Sequence, residues 1–370
     1  MRKWQQKITK KQILFFLILF ISFIGSLLFV NLNHSLYDRP IAKVINSTEV
    51  ERNEITDQYD NVDYQITEEL TAELLNGGEN KGTLLTIINE YTESEAINHH
   101  FETGDEIFLS IDINQQTGEV EDVKRDKFVV FALWIFILVL IAVGKKQGVY
   151  SFISLAVNAL ILSVALDIYL YNSDYSLLVI SGISVVIFTI LSLLMVNGRN
   201  EKTYAAIIAT LLGTLSSLII AYLALHMTGE QGLRYEEMSL STRNPQIIFM
   251  AGLLIGALGA VMDVAITMSS SLFELYEKNN QIDLKKLKQS GLEIGKDIMG
   301  TMTNIIFFAY VSGSIPMMLI YMKNDLPLGN TLTLNLSIEL ARALAGGIGI
   351  VLTIPIAIYI SIFFIKRKRV

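Results

Sequence analysis

Long apolar runs separated by short polar stretches make up most of this chain. A helix that crosses the roughly 30 Å of hydrocarbon in a bilayer requires about 20 predominantly apolar residues. Eight runs satisfy this requirement, and their hydropathy predicts eight transmembrane helices. The runs cover residues 13–30, 128–144, 149–170, 175–196, 204–225, 247–268, 298–322 and 344–365.

The polar stretch between the first two runs has a different pattern. Residues 62–66 and 107–111 alternate between apolar and polar side chains, which is the period of a β-strand with one buried face. Glycine-containing segments at residues 77–78, 104–105 and 116–118 predict turns between such strands. The stretch therefore predicts five or six short strands, which favour a small barrel or sandwich.

These patterns divide the chain into three parts. Residues 1–31 hold a basic tail and a first membrane anchor, residues 32–126 form the β-rich domain, and residues 127–370 form a seven-helix membrane domain. The predicted fold class is an all-α polytopic membrane bundle of about eight transmembrane helices with a small β-rich extracytoplasmic domain. A cleaved signal peptide is an alternative for the first run, but its 18 apolar residues and the lack of a small-x-small cleavage pattern favour an anchor.

Charge is distributed unevenly along the chain. Residues 32–126 hold 22 Asp and Glu against 6 Lys and Arg. Of the 29 Lys and Arg, 18 lie in residues 1–12, 145–146, 199–202, 269–297 and 366–369. Because basic residues accumulate on the cytoplasmic side, we expect a cell-membrane protein with both termini cytoplasmic and residues 32–126 outside. The lipid bilayer is the expected partner, and nucleic acid is not, because no basic face remains.

The composition excludes several kinds of chemistry. The chain has no cysteine, so it forms neither disulfides nor thiolate metal sites. It lacks the His-Glu-x-x-His pattern of zinc proteases, and its 4 histidines lie outside the middle of every apolar run. We therefore expect no enzyme activity, no catalytic residue, no cofactor and no metal site.

One acidic residue lies deep in an apolar run. Asp263 is 16 residues beyond the start of the run 247–268, or about 24 Å along a helix. Gly256 and Gly259 share its helix face, and Gly252 forms a small-xxx-small pair with Gly256 that lets a second helix approach. The carboxylate is predicted to point into the bundle as an ion-coupling group. Alternatively, it caps a neighbouring helix or hydrogen-bonds a Thr or Asn side chain.

Polar residues around the last three runs complete the candidate site. Glu339 and Arg342 are three residues apart before the eighth run, so they can pair on one helix face. Gly346 and Gly349 continue that helix as a close-packing surface. The remaining candidates for binding an ion or a substrate are Thr267, Asp297, Thr303 and Asn304.

Three segments resemble those of the YibE/F-like membrane proteins. They are GALGAVMDVAIT at residues 256–267, GKDIMGTMTN at 295–304 and ELARALAGGIG at 339–349, and the turn GKKQG at 144–148 also fits. The resemblance covers nearly the whole chain and implies the same external domain and helix bundle. Family members often have two adjacent acidic residues where this chain has Met262 before its aspartate, so a mechanism requiring a carboxylate pair is not supported.

Two functions remain open. A membrane carboxylate, glycine-lined helix faces and polar residues in the seventh run favour a secondary transporter, or a membrane subunit of a transport system, that uses a proton or small cation. The lack of a clear inverted repeat and of an ATP-binding loop favours a non-catalytic structural or accessory component of the cell envelope or of a secretion-type assembly. A membrane-protein partner such as a shorter paralogue is compatible with both.

Overall fold

The computed structural model describes residues 10–57, 60–95, 98–112, 117–171, 175–229, 233, 235 and 244–368. Arg2, Lys3 and Lys7 of the basic N-terminal tail lie outside this part of the chain. The chain forms two compact units, Met1–Val139 and Leu140–Val370. The first contains a β-barrel and the helical segments next to it, and the described residues of the second form helices and the short segments that connect them.

Five strands close into a barrel in the first unit. They are β1 (Ile41–Thr56), β2 (Val62–Leu74), β3 (Leu84–Thr92), β4 (Glu106–Asp112) and β5 (Thr117–Val123). Around the barrel they follow the order β1-β2-β3-β5-β4, with β3 and β5 parallel and the other pairs antiparallel. This is the strand arrangement of OB-fold barrels.

Alternating apolar residues form the barrel core, as the sequence pattern predicts. The β-rich domain and its predicted strand segments are confirmed, since residues 62–66 lie in β2 and residues 107–111 in β4. The turn predicted at residues 116–118 is wrong for Thr117 and Gly118, which begin β5, while Gln116 lies outside the described residues. The fully buried aliphatic core residues include Ile41, Ala42, Val44, Leu70, Ala72, Ile87 and Ile107.

Lys124 ties the barrel to the helices that flank it in the chain. Its side chain is 2% exposed, and its ammonium lies 3.0 Å from both Glu106 Oε2 and Asp126 Oδ1. It also donates a hydrogen bond of 2.8 Å to the carbonyl oxygen of Val30, near the end of the first helix. Asp126 further accepts a hydrogen bond of 3.0 Å from the Tyr37 hydroxyl. Burial opposes the charge of Lys124, but the hydrogen bonds to its two carboxylates outweigh burial and raise its pKa.

Seven helices in the described residues are long and apolar enough to cross a membrane. They are α1 (Lys10–Leu32), α2 (Asp126–Tyr171), α3 (Leu177–Asn197), α4 (Glu201–Thr228), α5 (Pro245–Lys278), α6 (Leu284–Lys323) and α7 (Leu328–Lys368). The chain is therefore a multi-pass α-helical protein of the kind found in membranes, with a small β-barrel near its N-terminus.

The count of seven helices differs from the eight predicted because α2 contains two of the predicted runs. Lys145 interrupts it with non-helical backbone angles, φ 50° and ψ −123°. Gly148 approaches the carbonyl of Leu140 so closely that a Cβ atom would overlap it. Residues eight positions apart in a straight helix are separated by about 12 Å, so the chain folds back here, as the predicted turn at residues 144–148 requires.

Small residues let α4 and α7 pack closely in the second unit. Ser217 of α4 donates a hydrogen bond of 2.6 Å to the carbonyl oxygen of Ala345 in α7. Gly213, one turn earlier in α4, faces Thr353 of α7 with no room for a Cβ atom. Since earlier residues of α4 meet later residues of α7, the two helices are antiparallel.

Between α5 and α7, earlier residues contact earlier residues and later residues contact later ones. A Cβ atom on Gly346 would lie 3.8 Å from the Cβ atom of Ala257, and Ser361 donates a hydrogen bond of 3.2 Å to Ser269. These two helices are therefore parallel, with α6 between them in the chain. Helices that cross a membrane in succession alternate in direction, and the directions of α4, α5 and α7 follow that rule.

We expect Gly349→Val to destabilise the helical unit. A Cβ atom at Gly349 would lie 3.0 Å from the Cβ atom of Ser217 and 3.2 Å from Val261, so the larger side chain forces α4 and α5 away from α7. Overpacking of this kind costs about 1–3 kcal/mol. Thermal unfolding in detergent measures the effect, with Gly259→Val as the control because nothing lies within 4 Å of a Cβ there. Equal stabilities for the two variants would contradict the prediction.

Candidate functional site

Asp263 lies near the middle of α5 and its side chain is exposed. This differs from the expectation that it points into the bundle. The helix packs through its other side, where Leu258, Val261 and Val264 are buried. The spacing of Gly256, Gly259 and Asp263 does place them on one helix face, but that face carries no packed helix along most of its length.

We call this surface the α5 open face. It consists of small or polar residues that follow one another at intervals of three or four positions: Gly252, Gly256, Gly259, Asp263, Thr267 and Ser270. The first four are exposed and the last two are partly exposed. A row of such residues leaves room for water, an ion or a second helix beside the α5 backbone.

The glycines named as packing residues fall into two groups. A Cβ atom on Gly252 or Gly259 would meet nothing within 4 Å, so these two lie in open space. At Gly256 it would overlap the hydroxyl group of Tyr310, which reaches over from α6. On α7, by contrast, Gly346 contacts Ile306, and Gly349 contacts α4 and α5 as described above. Close helix contacts thus occur at both glycines of α7, whereas of the three glycines on the α5 open face only Gly256 has one.

A polar pocket lies at the C-terminal end of the α5 open face. Its volume is about 520 Å³, and Ser270 belongs both to the open face and to the pocket lining. Ser270 is seven residues beyond Asp263, which is about 10 Å along the helix. Glu201 and Lys368, which both line the pocket, form an ion pair of 3.7 Å. The lining consists of Asn200, Glu201, Lys202, Ser270, Phe273, Glu274, Glu277 and Lys368.

A charged cluster lies toward the opposite end of α5. Arg342 Nη1 is 3.1 Å from Glu339 Oε1, which confirms the predicted pair, and both side chains are about one-fifth exposed. The guanidinium lies 5.8 Å from the ring centroid of Phe249 in α5. The hydroxyl of Tyr310 is buried beside Gly256 and has no hydrogen-bond partner among the described residues.

Three candidates on α6 are separate from Asp263. Asp297 and Asn304 are exposed, and their spacing of seven residues puts them on one face of the helix. Thr303 instead lines an apolar groove of about 340 Å³ between α6 and α7. Among the described residues, no hydrogen bond or ion pair joins Asp263 to any of these three. The structure thus groups Asp263 with Thr267 on α5 and Glu339 with Arg342 on α7.

The sequence patterns do not identify Tyr310 as a site residue. It contributes a hydroxyl inside an apolar helix and lies seven residues beyond Thr303, so helical spacing alone places it on the same side of α6. Its proximity to Gly256 depends on how α6 crosses α5. The way in which two helices cross cannot be predicted from a pattern along the chain.

Comparisons with known proteins find two family matches. One, described as YibE/F-like protein, covers residues 132–367 and includes the α5 open face. The other, described as YibE/F family N-terminal domain, covers residues 35–124 and includes the barrel. No curated protein and no solved structure matches the chain.

Proposed function

This chain belongs to the YibE/F-like family, and from that premise we propose that it is a secondary transporter, or the membrane subunit of a transport system. In this proposal Asp263 binds and releases a proton or small cation during the transport cycle. The single observation that carries the proposal is the exposure of Asp263 on a face of α5 made of small and polar residues.

A charged group in the hydrocarbon of a membrane is costly. A carboxylate near the centre of a membrane helix costs about 2.5–3.5 kcal/mol on insertion scales, so a face that carries one is not expected to contact lipid tails. Glycine, Thr and Ser beside Asp263 leave the backbone uncovered and supply polar groups. Such a face suits a path for water or ions through the membrane.

Both ends of the α5 open face lead to charged groups, which supports a path rather than an isolated residue. The pocket at Ser270 offers carboxylates and amines at one end. Toward the other end, the Tyr310 hydroxyl lies beside Gly256, and Arg342 of the Glu339–Arg342 pair lies near the Phe249 ring. An ion entering through the pocket would reach Asp263 after about 10 Å along α5. The sequence has no ATP-binding loop, so an ion gradient is the proposed source of energy.

The test is the substitution Asp263→Asn, which keeps the shape of the side chain and removes its charge. We expect the variant to reach the membrane at normal abundance but to fail to complement a deletion strain. Purified protein in liposomes is expected to lose ion flux driven by a proton or sodium gradient. Asp167→Asn is the matched control, because this exposed aspartate lies near the end of its helix and not on the α5 open face. Full activity of Asp263→Asn at normal abundance would reject ion coupling.

A second candidate function is a non-catalytic accessory component of the cell envelope or of a secretion-type assembly. It is favoured by the free space at Gly252 and Gly259, because small residues at such spacing allow a helix of another protein to approach. In that case a partner such as a shorter paralogue would cover Asp263 with polar groups of its own. The two functions differ in whether water reaches the α5 open face.

A further inference from the structure

The side chains that point into the barrel change in character from one end to the other. Near the middle they are aliphatic, as at Leu70 and Ile87. Toward the other end, the next inward positions on β2 and β3 hold Glu68 and Asn89. Beyond these lie Ile66 and then Tyr64 on β2, and Tyr91 on β3. The barrel therefore has a dry half and a polar end, and the polar end is where the β1–β2 hairpin extends beyond the other strands.

Glu68 forms the floor of this polar end. Its side chain is 1% exposed, and its two oxygens accept hydrogen bonds from Ser47 Oγ at 2.7 Å and Asn89 Nδ2 at 2.8 Å. The ring of His100 contacts it at 2.9 Å, and the backbone N–H of Phe101 donates at 3.2 Å. Because every oxygen of the carboxylate has donors, the floor is rigid, and it fixes the loop that carries His100.

Aromatic rings and charged groups form the rim above the floor. The Tyr91 ring lies 5.2 Å from the His100 ring. On the hairpin side, the guanidinium of Arg52 lies 4.7 Å from the Tyr64 ring and forms an ion pair of 2.7 Å with Glu93. All of these side chains are at least partly exposed. We call this surface the barrel mouth: Arg52, Glu54, Tyr64, Tyr91, Glu93 and His100.

The mouth is acidic, which limits the ligands it can take. Burial raises the pKa of Tyr91, and the nearby charges of Glu68 and Glu49 raise it further. Arg52 is the one Arg or Lys among the six residues of the mouth, and it is already paired with Glu93. A polyanion such as a nucleic acid or a phosphate polymer would be repelled.

We propose that the barrel mouth binds an oligosaccharide whose sugars are uncharged or carry amino groups. Sugar rings present C–H groups that pack on aromatic faces such as those of Tyr64 and Tyr91, and their hydroxyl and amino groups donate hydrogen bonds to carboxylates such as Glu93. OB-fold barrels bind oligosaccharides in other proteins, which agrees with this chemistry as an analogy of fold. The proposal does not depend on transport through the helical unit.

The test measures binding of three tetrasaccharides to the full-length protein in lipid nanodiscs by calorimetry. The probes are the tetramers of glucosamine and N-acetylglucosamine, and maltotetraose. We expect saturable binding of at least one probe, with the glucosamine tetramer tightest because of the acidic rim. Tyr64→Ala is expected to weaken that binding about 3- to 10-fold, the range for one aromatic contact. Tyr64→Phe keeps the aromatic ring and controls for the possibility that Tyr64→Ala binds weakly because it misfolds. We expect the affinity of Tyr64→Phe to lie within about twofold of that of the unmodified protein.

The matched control is Ile88→Ala, because Ile88 is 67% exposed and points outward from β3. Its affinity should equal that of the unmodified protein. Two results would overturn the proposal. One is the absence of saturable binding for all three probes. The other is an equal loss of affinity in Ile88→Ala and Tyr64→Ala, which would place the ligand on the outer surface of the barrel.

Discussion

Lys124→Met is expected to lower the free energy of unfolding of the barrel by about 3 kcal/mol or more. The methionine keeps the unbranched apolar stem of the lysine but leaves Glu106 and Asp126, each about one-fifth exposed, without the ammonium group between them. It also leaves the carbonyl oxygen of Val30 without its donor. For a domain of this size, a loss of that magnitude lowers the unfolding midpoint by about 15 °C.

Thermal unfolding of the full chain in detergent, followed by the β signal in circular dichroism, measures this loss. Lys127→Met is the matched control, since Lys127 is exposed and forms no ion pair among the described residues. Adding Glu106→Gln to Lys124→Met should restore part of the stability, because it removes one of the uncompensated charges. If Lys124→Met unfolds at the same temperature as Lys127→Met, the network does not stabilise the barrel.

The pH dependence of this contribution follows from the raised pKa of Lys124. A lysine whose pKa is higher in the folded protein than the ordinary value of 10.5 stabilises the fold fully below that value. The stabilisation is lost as the pH rises through the raised pKa. The difference between the unmodified protein and Lys124→Met should therefore persist at neutral pH and shrink as the pH rises through the raised pKa of Lys124.

The apolar runs and alternating segments predicted most of the fold because both are local patterns. Hydrophobic length identified the membrane-type helices, and period two identified strands such as β2 and β4. Glycines at residues 144–148 indicated the turn inside α2, although helical backbone continues on both sides of Lys145. These features depend on residues that are close together in the chain, so a pattern in the sequence is enough to predict them.

The direction of the α5 open face could not be predicted in the same way. Helical periodicity establishes that Gly252, Gly259 and Asp263 share a face, but it does not say whether another helix covers that face. Small residues suit both situations, since they allow a close helix contact and also leave open space. The same limit applies to Tyr310, which meets Gly256 across 54 residues of chain.

The buried charged residues of the first unit could not be predicted from the sequence either. Lys124 and Glu68 are surrounded in the sequence by many other charged residues that are exposed. Their partners lie far away, with Val30 separated from Lys124 by 94 positions and Ser47 from Glu68 by 21. Burial of a charged side chain requires such partners to assemble, so only the folded barrel distinguishes these two residues from their neighbours.

Single cysteines on the α5 open face are expected to react with a membrane-impermeant maleimide, and this reaction separates the two proposed functions. The natural chain has no cysteine, so Thr267→Cys or Ser270→Cys introduces the sole thiol. Maleimide reacts with the thiolate, which forms in water and not in hydrocarbon. A face that conducts ions must be wet, so both positions should be labelled.

Matched controls are Leu212→Cys and Leu215→Cys on α4, whose leucines are 45% and 50% exposed and apolar. These thiols would face lipid, so we expect their labelling to be slower by about tenfold or more. The basic residues around Ser270 predict that the maleimide reaches Ser270→Cys from the cytoplasmic side. Labelling of inside-out vesicles, compared with right-side-out vesicles, tests from which side the reagent enters. Labelling of Thr267→Cys at the rate of the α4 controls would mean that water does not reach the α5 open face. In that case the accessory function would be favoured over transport.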